Sequence, residues 1–103
     1  MVFDLVVCDL PYGVTKHKWD TQLTKQDFDL LLKNIEKVTR KESKLVFFID
    51  IDQAQDLKNI LTSKKYSVSR CVWSKLNAPV LKSSNTLSSC YETFLYAWKG
   101  NTF

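Results

Sequence analysis

Glycine and proline are scarce in this chain. Gly13, Gly100, Pro11 and Pro79 are all that its 103 residues contain. That composition excludes long flexible linkers and low-complexity segments, and no internal repeat is present. Cysteine is sparse too: Cys8, Cys71 and Cys90 are widely and irregularly spaced, with no C-x-x-C pair. An odd number cannot pair fully within one chain, so reduced thiols are expected. His17 is the only histidine, so no metal site is expected. No apolar run approaches the length of a membrane span. The start, Met1-Val2-Phe3-Asp4, lacks the basic and long apolar regions of a signal peptide. The expected location is therefore intracellular, cytoplasmic or nuclear, with no membrane partner.

The apolar and charged fractions are those of an ordinary globular protein, and the length suits one domain over residues 1–103. A chain this short has a thin core. The formal net charge of +4 agrees with a phosphate-bearing partner, although a solvated basic surface explains it equally well.

Strand-like and helix-like segments alternate. Phe3 to Leu10 is short, apolar and closed by Pro11, which predicts a buried strand. Thr24 is a suitable N-cap, with Asp27 three residues on. Phe28, Leu31, Leu32, Ile35 and Val38 then form one helical stripe, and Lys37, Arg40 and Lys41 suit its carbonyl end. Lys44 to Asp50 predicts a second buried strand. Asp52 can cap a second helix, with Leu57, Ile60 and Leu61 inward. Tyr66 to Lys75 predicts a third strand, Ala78 to Cys90 a long loop, and Tyr91 to Lys99 the last strand. The order predicts an α/β fold. Its sheet is expected to be mainly parallel, with right-handed crossovers, helices on the faces and an antiparallel last strand. Ligands of such sheets bind at the carboxyl ends of the strands.

The segment at such an end is Asp9-Leu10-Pro11-Tyr12-Gly13. A carboxylate there projects above the sheet, a proline fixes the backbone, and an aromatic ring follows. These features fit the methylation of a base amine. The lone pair of adenine N6 or cytosine N4 is delocalised into the ring, so the nitrogen is a poor nucleophile. Acceptors such as the Asp9 carboxylate and the Leu10 carbonyl can hydrogen-bond its protons and draw it toward tetrahedral geometry. Tyr12 can stack on a base flipped out of a duplex. A strand that merely ends in a turn, with Tyr12 packed on the surface, explains the same four residue types.

The wider run from Phe3 to Asp20 closely resembles the catalytic motif region of DNA adenine-N6 and cytosine-N4 amino-methyltransferases. That family has an apolar strand, then Asp/Asn-Pro-Pro-Tyr, often Gly, and a later Trp-Asp, here Trp19-Asp20. Trp73-Ser-Lys75 with Asn77 resembles its Trp-x-Lys segment, and Tyr91-Glu92 with Phe94 to Lys99 resembles its closing strand. The resemblance covers nearly the whole chain in the same order.

It implies a partial Rossmann-like methyltransferase sheet and S-adenosylmethionine as the methyl donor. Asp9 would bind the amine beside the donor, Leu10 would offer its carbonyl, Pro11 would hold the loop and Tyr12 would stack on the base. Lys75 and Asn77 would lie by the crevice toward substrate or cofactor. Lys16 and Lys18 would meet phosphate and, with Trp19, form the substrate side. His17, Glu92 and the serines Ser83, Ser84, Ser88 and Ser89 carry no assigned chemistry beyond a polar, mobile loop and a loop-orienting contact.

Two departures stand out. Leu10 replaces the usual second proline, which spares the carbonyl. More seriously, no Phe-x-Gly-x-Gly loop is present to cradle the donor's methionine end. The implied chain is then the catalytic half, with four of seven strands. Its first strand has an open edge or pairs with a second polypeptide or second copy. The expected activity is methylation of an exocyclic base amine, adenine N6 in DNA first, by a fragment or split enzyme. The alternatives are a non-catalytic methyltransferase-like partner or nucleic-acid-binding module, and methylation of RNA or a protein amide.

Overall fold

Burial alternates along the central strands, and that alternation places the helices. The computed structural model describes residues 2–10, 23–74 and 91–100, with nothing said of the Tyr91 side chain. Strand β1 (Phe3–Asp9) is followed by helix α1 (Lys25–Val38), β2 (Thr39–Phe48), α2 (Ile51–Ser63), β3 (Ser67–Ser74) and β4 (Tyr91–Trp98). The sheet order is β1-β2-β4-β3. β1 runs parallel to β2, and β4 runs antiparallel to both β2 and β3. Three strands therefore point one way. The last strand is reversed, as expected, and is inserted between β2 and β3.

Ser43, Leu45 and Phe47 of β2 and Thr93, Leu95 and Ala97 of β4 are buried on one face. Phe28, Leu32 and Ile35 of α1 and Ala54, Leu57 and Leu61 of α2 meet them there. Each of the buried leucine, isoleucine and phenylalanine side chains contributes about 1.5–3 kcal/mol by leaving water. Helices on both faces were expected, but both described helices lie on this one. The reason is handedness. The β1→β2 and β2→β3 crossovers step across the sheet in the same direction, so right-handed connections put both helices on the same side. The other face carries Leu5, Val7 and Asp9 of β1, Val46 and Phe48 of β2, Phe94 of β4, and Cys71 and Trp73 of β3.

The first helix starts where its cap predicts. The Asp27 N–H donates to Thr24 Oγ1 (3.2 Å) and the Thr24 N–H donates to Asp27 Oδ2 (2.8 Å), a reciprocal capping box. Those bonds hold the Asp27 carboxyl below its ordinary range, the Thr24 backbone bond first. The helix ends one turn early. Thr39 is extended (φ −112, ψ 157), so Arg40 and Lys41 belong to β2 rather than to the helix end. Arg40 instead reaches Asp4 of β1 at 2.6 Å. Val38 is exposed rather than part of the buried stripe.

The second helix begins at Ile51, and its cap lies two residues before Asp52. Asp50 is its N-cap, with the carbonyl of Asp50 accepting from the N–H groups of Gln53 and Ala54 at 3.0 Å. Its end turns at Lys65, which has φ 74 in the left-handed region. Asp29 of α1 ties this end down through Lys64 (3.3 Å) and its own helix neighbour Lys33 (3.3 Å). Both lysines, Lys33 first, lower the Asp29 carboxyl. None of the described helices is long and apolar enough to cross a membrane.

Candidate active site

The parallel strands bring their carboxyl ends to one side of the sheet, and Asp9 is the last residue of β1 there. It pairs in register with Phe48, the last residue of β2, which in turn pairs with Phe94 of β4. Adjacent strands lie about 4.8 Å apart, so these residues form one short row across the helix-free face. The Asp9 side chain is exposed, and no hydrogen bond or ion pair with a described residue occupies it.

Leu10, the next residue, turns the other way. Its side chain is only 8% exposed and joins the core under the helices. Its N–H donates to the Phe48 carbonyl at 3.0 Å, which extends the β1–β2 ladder by one bond past the strand. The chain is thus anchored on both sides of Asp9: by the ladder before it, and by a buried leucine and a backbone bond after it. A carboxylate on such a support is free to accept hydrogen bonds from a ligand while its backbone stays fixed.

The neighbouring wall is aromatic. Phe48 packs against Phe94 with ring centroids 5.2 Å apart, and against Trp73 edge-on at 6.3 Å and 67°. Trp73, at the end of β3, is 57% exposed. The arrangement sets an acceptor beside planar apolar surface, which suits an amine borne on a flat ring. Sequence reading placed Phe48 only in a buried strand. The pointer to its role lies in the register, since Phe47 faces the helices and Phe48 therefore faces Asp9's side.

Of the residues singled out in the sequence, Asp9 and Leu10 are adjacent at the strand end. Glu92 faces Trp73 in register, across β4 and β3. Pro11, Tyr12, Lys16, His17, Lys18, Trp19, Lys75, Asn77 and the four loop serines lie outside the described residues. Cys8 sits one residue before Asp9 on the helix side. Burial pushes its thiol up, which disfavours the nucleophilic thiolate.

At the start of α2, near the same strand ends, Gln53 is 8% exposed. Its amide donates to the Leu23 carbonyl at 3.4 Å, while its buried Oε1 has no partner among the described residues. No group of three or more His, Cys, Asp and Glu side chains comes together among the described residues.

The described residues fit an amine acceptor but not a cradle for S-adenosylmethionine. The only glycine among them, Gly100, follows the far end of β4. It has φ 72, and a Cβ there would lie 2.6 Å from Cγ of Glu42, so it serves a tight turn rather than a ligand. The open depression between the helices, lined by Lys25, Asp29, Lys33 and Ile60, is on the opposite side of the sheet from Asp9.

No family model matches the sequence, and no curated protein matches it. The fold does match solved structures. The complex of M1.HpyAVI with SAM superposes with a TM-score of 0.71 at 16% identity, over 96% of this chain and 45% of that one. A second M1.HpyAVI structure gives 0.70 at 15%, over 96% and 46%. The fold is shared with these structures, and the chain spans less than half of their length.

Proposed function

We propose that the chain is the catalytic half of an S-adenosylmethionine-dependent methyltransferase, lacking the glycine-loop cofactor half. Its target is an exocyclic amine of a nucleic-acid base, adenine N6 in DNA. The observation that carries this reading is Asp9 standing exposed at the tip of β1, with no partner among the described residues, beside an aromatic wall. It is supported by the fold shared with M1.HpyAVI, one of whose structures holds SAM.

In this reading, S-adenosylmethionine, when bound, supplies the electrophilic methyl group. Asp9 accepts a hydrogen bond from the amine and Leu10's carbonyl accepts a second. The two together localise the nitrogen lone pair, which is electrostatic and orientational catalysis with no prior deprotonation. Pro11 fixes the loop and Tyr12 stacks on the flipped base. Lys16, Lys18 and Trp19 hold the nucleic acid, Lys75 and Asn77 border the donor, and the net charge of +4 favours the phosphate backbone. The enzyme acts inside the cell.

A second reading, a non-catalytic methyltransferase-like partner, draws support from the lack of a donor cradle among the described residues. The retained acceptor at Asp9 favours the first. The test is nucleoside mass spectrometry of DNA after incubation with the complete enzyme and S-adenosylmethionine. N6-methyladenine is the expected product, and an unmodified digest refutes the enzyme reading.

A further inference from the structure

Gln53 is a long polar side chain in a place where an apolar one would pack. It is buried on the first turn of α2, next to Ala54 of the core. Its Oε1 has no partner among the described residues. A buried acceptor left in that state destabilises a fold by the full loss of its hydration. Turning the amide over gives no relief, because Oε1 would then face the Leu23 carbonyl, acceptor against acceptor. Departures of this kind from a satisfied interior gather at functional sites.

The corner between β2 and α2 makes two bonds to one segment, one at each of its ends. At the first, the Phe48 carbonyl accepts from the Leu10 N–H at 3.0 Å. At the second, the Gln53 amide donates to the Leu23 carbonyl at 3.4 Å. Both supports are fixed. Phe48 ends β2 and is paired on either side with Asp9 and Phe94, while the Gln53 N–H is bound to the Asp50 carbonyl at 3.0 Å. Leu10 and Leu23 also pack on the same core. Residues 11–22, which include Tyr12, Lys16, Lys18 and Trp19, join these two anchors. The Leu10 anchor prolongs a strand ladder. The Leu23 anchor has no ladder and depends on one side chain from α2.

We infer that Gln53 is a positioning residue: it fixes where the segment bearing Tyr12 rejoins the fold, and so sets the base-stacking ring against the Asp9 carboxylate. What is positioned rests on the methyltransferase reading, whereas the anchor itself is measurable without any activity. A displacement of about 1 Å remote from the chemistry can lower turnover about 10²-fold. At 3.4 Å the bond is longer than the about 2.7–3.2 Å usual for N–H···O, so its hold is modest and its loss belongs below that limit.

The test is Gln53→Met, which keeps the length and unbranched shape of the side chain and donates nothing. It removes the bond to Leu23 and the unpartnered Oε1 together, so Tm should stay within about 4 °C of the wild type. Trypsin should cut the chain after Lys16 or Lys18 at least about twofold faster, since cleavage follows the open population that one hydrogen bond holds down. In the complete enzyme, kcat for DNA should fall about tenfold while KM for S-adenosylmethionine stays within about twofold. In a Tyr12→Ala background the same substitution should lower kcat by less than about threefold, because no ring is left to position. Unchanged cutting, unchanged kcat, or the same loss with and without Tyr12 overturns the inference. A fall in Tm well beyond 4 °C also overturns it, by making Gln53 a residue of the fold rather than of the site. Faster cutting in a variant whose wild-type parent methylates no base overturns the proposed function and leaves the anchor standing.

Discussion

In the proposed reading, replacing Asp9 by alanine should separate catalysis from folding. The side chain is exposed and makes no described hydrogen bond or ion pair, so its loss should change stability by no more than about 0.5 kcal/mol. For a domain of this size that is at most about 4 °C in Tm. Removing one preorganised partner of the reacting group costs about 10²–10³ in kcat, or about 2.7–4 kcal/mol. The loss should fall on kcat rather than on KM for DNA, because the hydrogen bond strengthens as the amine nitrogen attacks. Asp9→Asn keeps one carbonyl acceptor and should lose less than Asp9→Ala. The assay is transfer of a tritiated methyl group from S-adenosylmethionine to DNA by the complete enzyme, beside thermal melts of each variant. Wild-type turnover in Asp9→Ala would remove the carboxylate from the mechanism. A large drop in Tm would show that Asp9 holds the structure rather than the substrate.

Three further expectations concern stability and reactivity. Thr24→Ala removes half of the capping box and should cost about 1 kcal/mol, read by urea unfolding; an unchanged midpoint would deny the cap its role. Lys65→Gly relieves a left-handed residue after α2 and should stabilise by about 0.5–1 kcal/mol, since the strain relieved exceeds glycine's entropic cost; a lower Tm would contradict it. The Cys8 thiol, raised by burial, binds its proton more tightly folded than unfolded. Stability from this group is therefore complete below the ordinary thiol pKa and is lost as pH climbs through the raised folded value. Iodoacetamide should label Cys8 more slowly in the folded chain than in urea at pH 8, and equal rates would refute the shift.

Much of the element order was legible because local signals agreed with tertiary packing. The Thr24–Asp27 pair marked the start of α1 through bonds spanning three residues. The apolar runs at Phe3 and Lys44 marked β1 and β2. Boundaries failed where two structures compete for the same residues. Arg40 and Lys41 suit a helix end electrostatically, but β-branched Thr39 turns the chain extended and Asp4 waits across the ladder for Arg40. Asp50 and Asp52 are equally good caps by composition, and the exit of β2 decides between them. The insertion of β4 between β2 and β3 is a long-range choice that no local pattern encodes. At the site, Asp9 was legible as a carboxylate at the end of an apolar run. The row it forms with Phe48 and Phe94 needed the strand register, which sequence spacing does not supply.

The most direct measurement is isothermal titration of S-adenosylmethionine into the 103-residue chain alone. In the proposed reading, with an amine acceptor at Asp9 and no cradle for the methionine end among the described residues, the chain should give no saturable heat over the about 1 µM–1 mM range usual for enzyme substrates. Stoichiometric binding in that range by the chain alone would mean that its own residues form a donor site, and the half-enzyme account would fail.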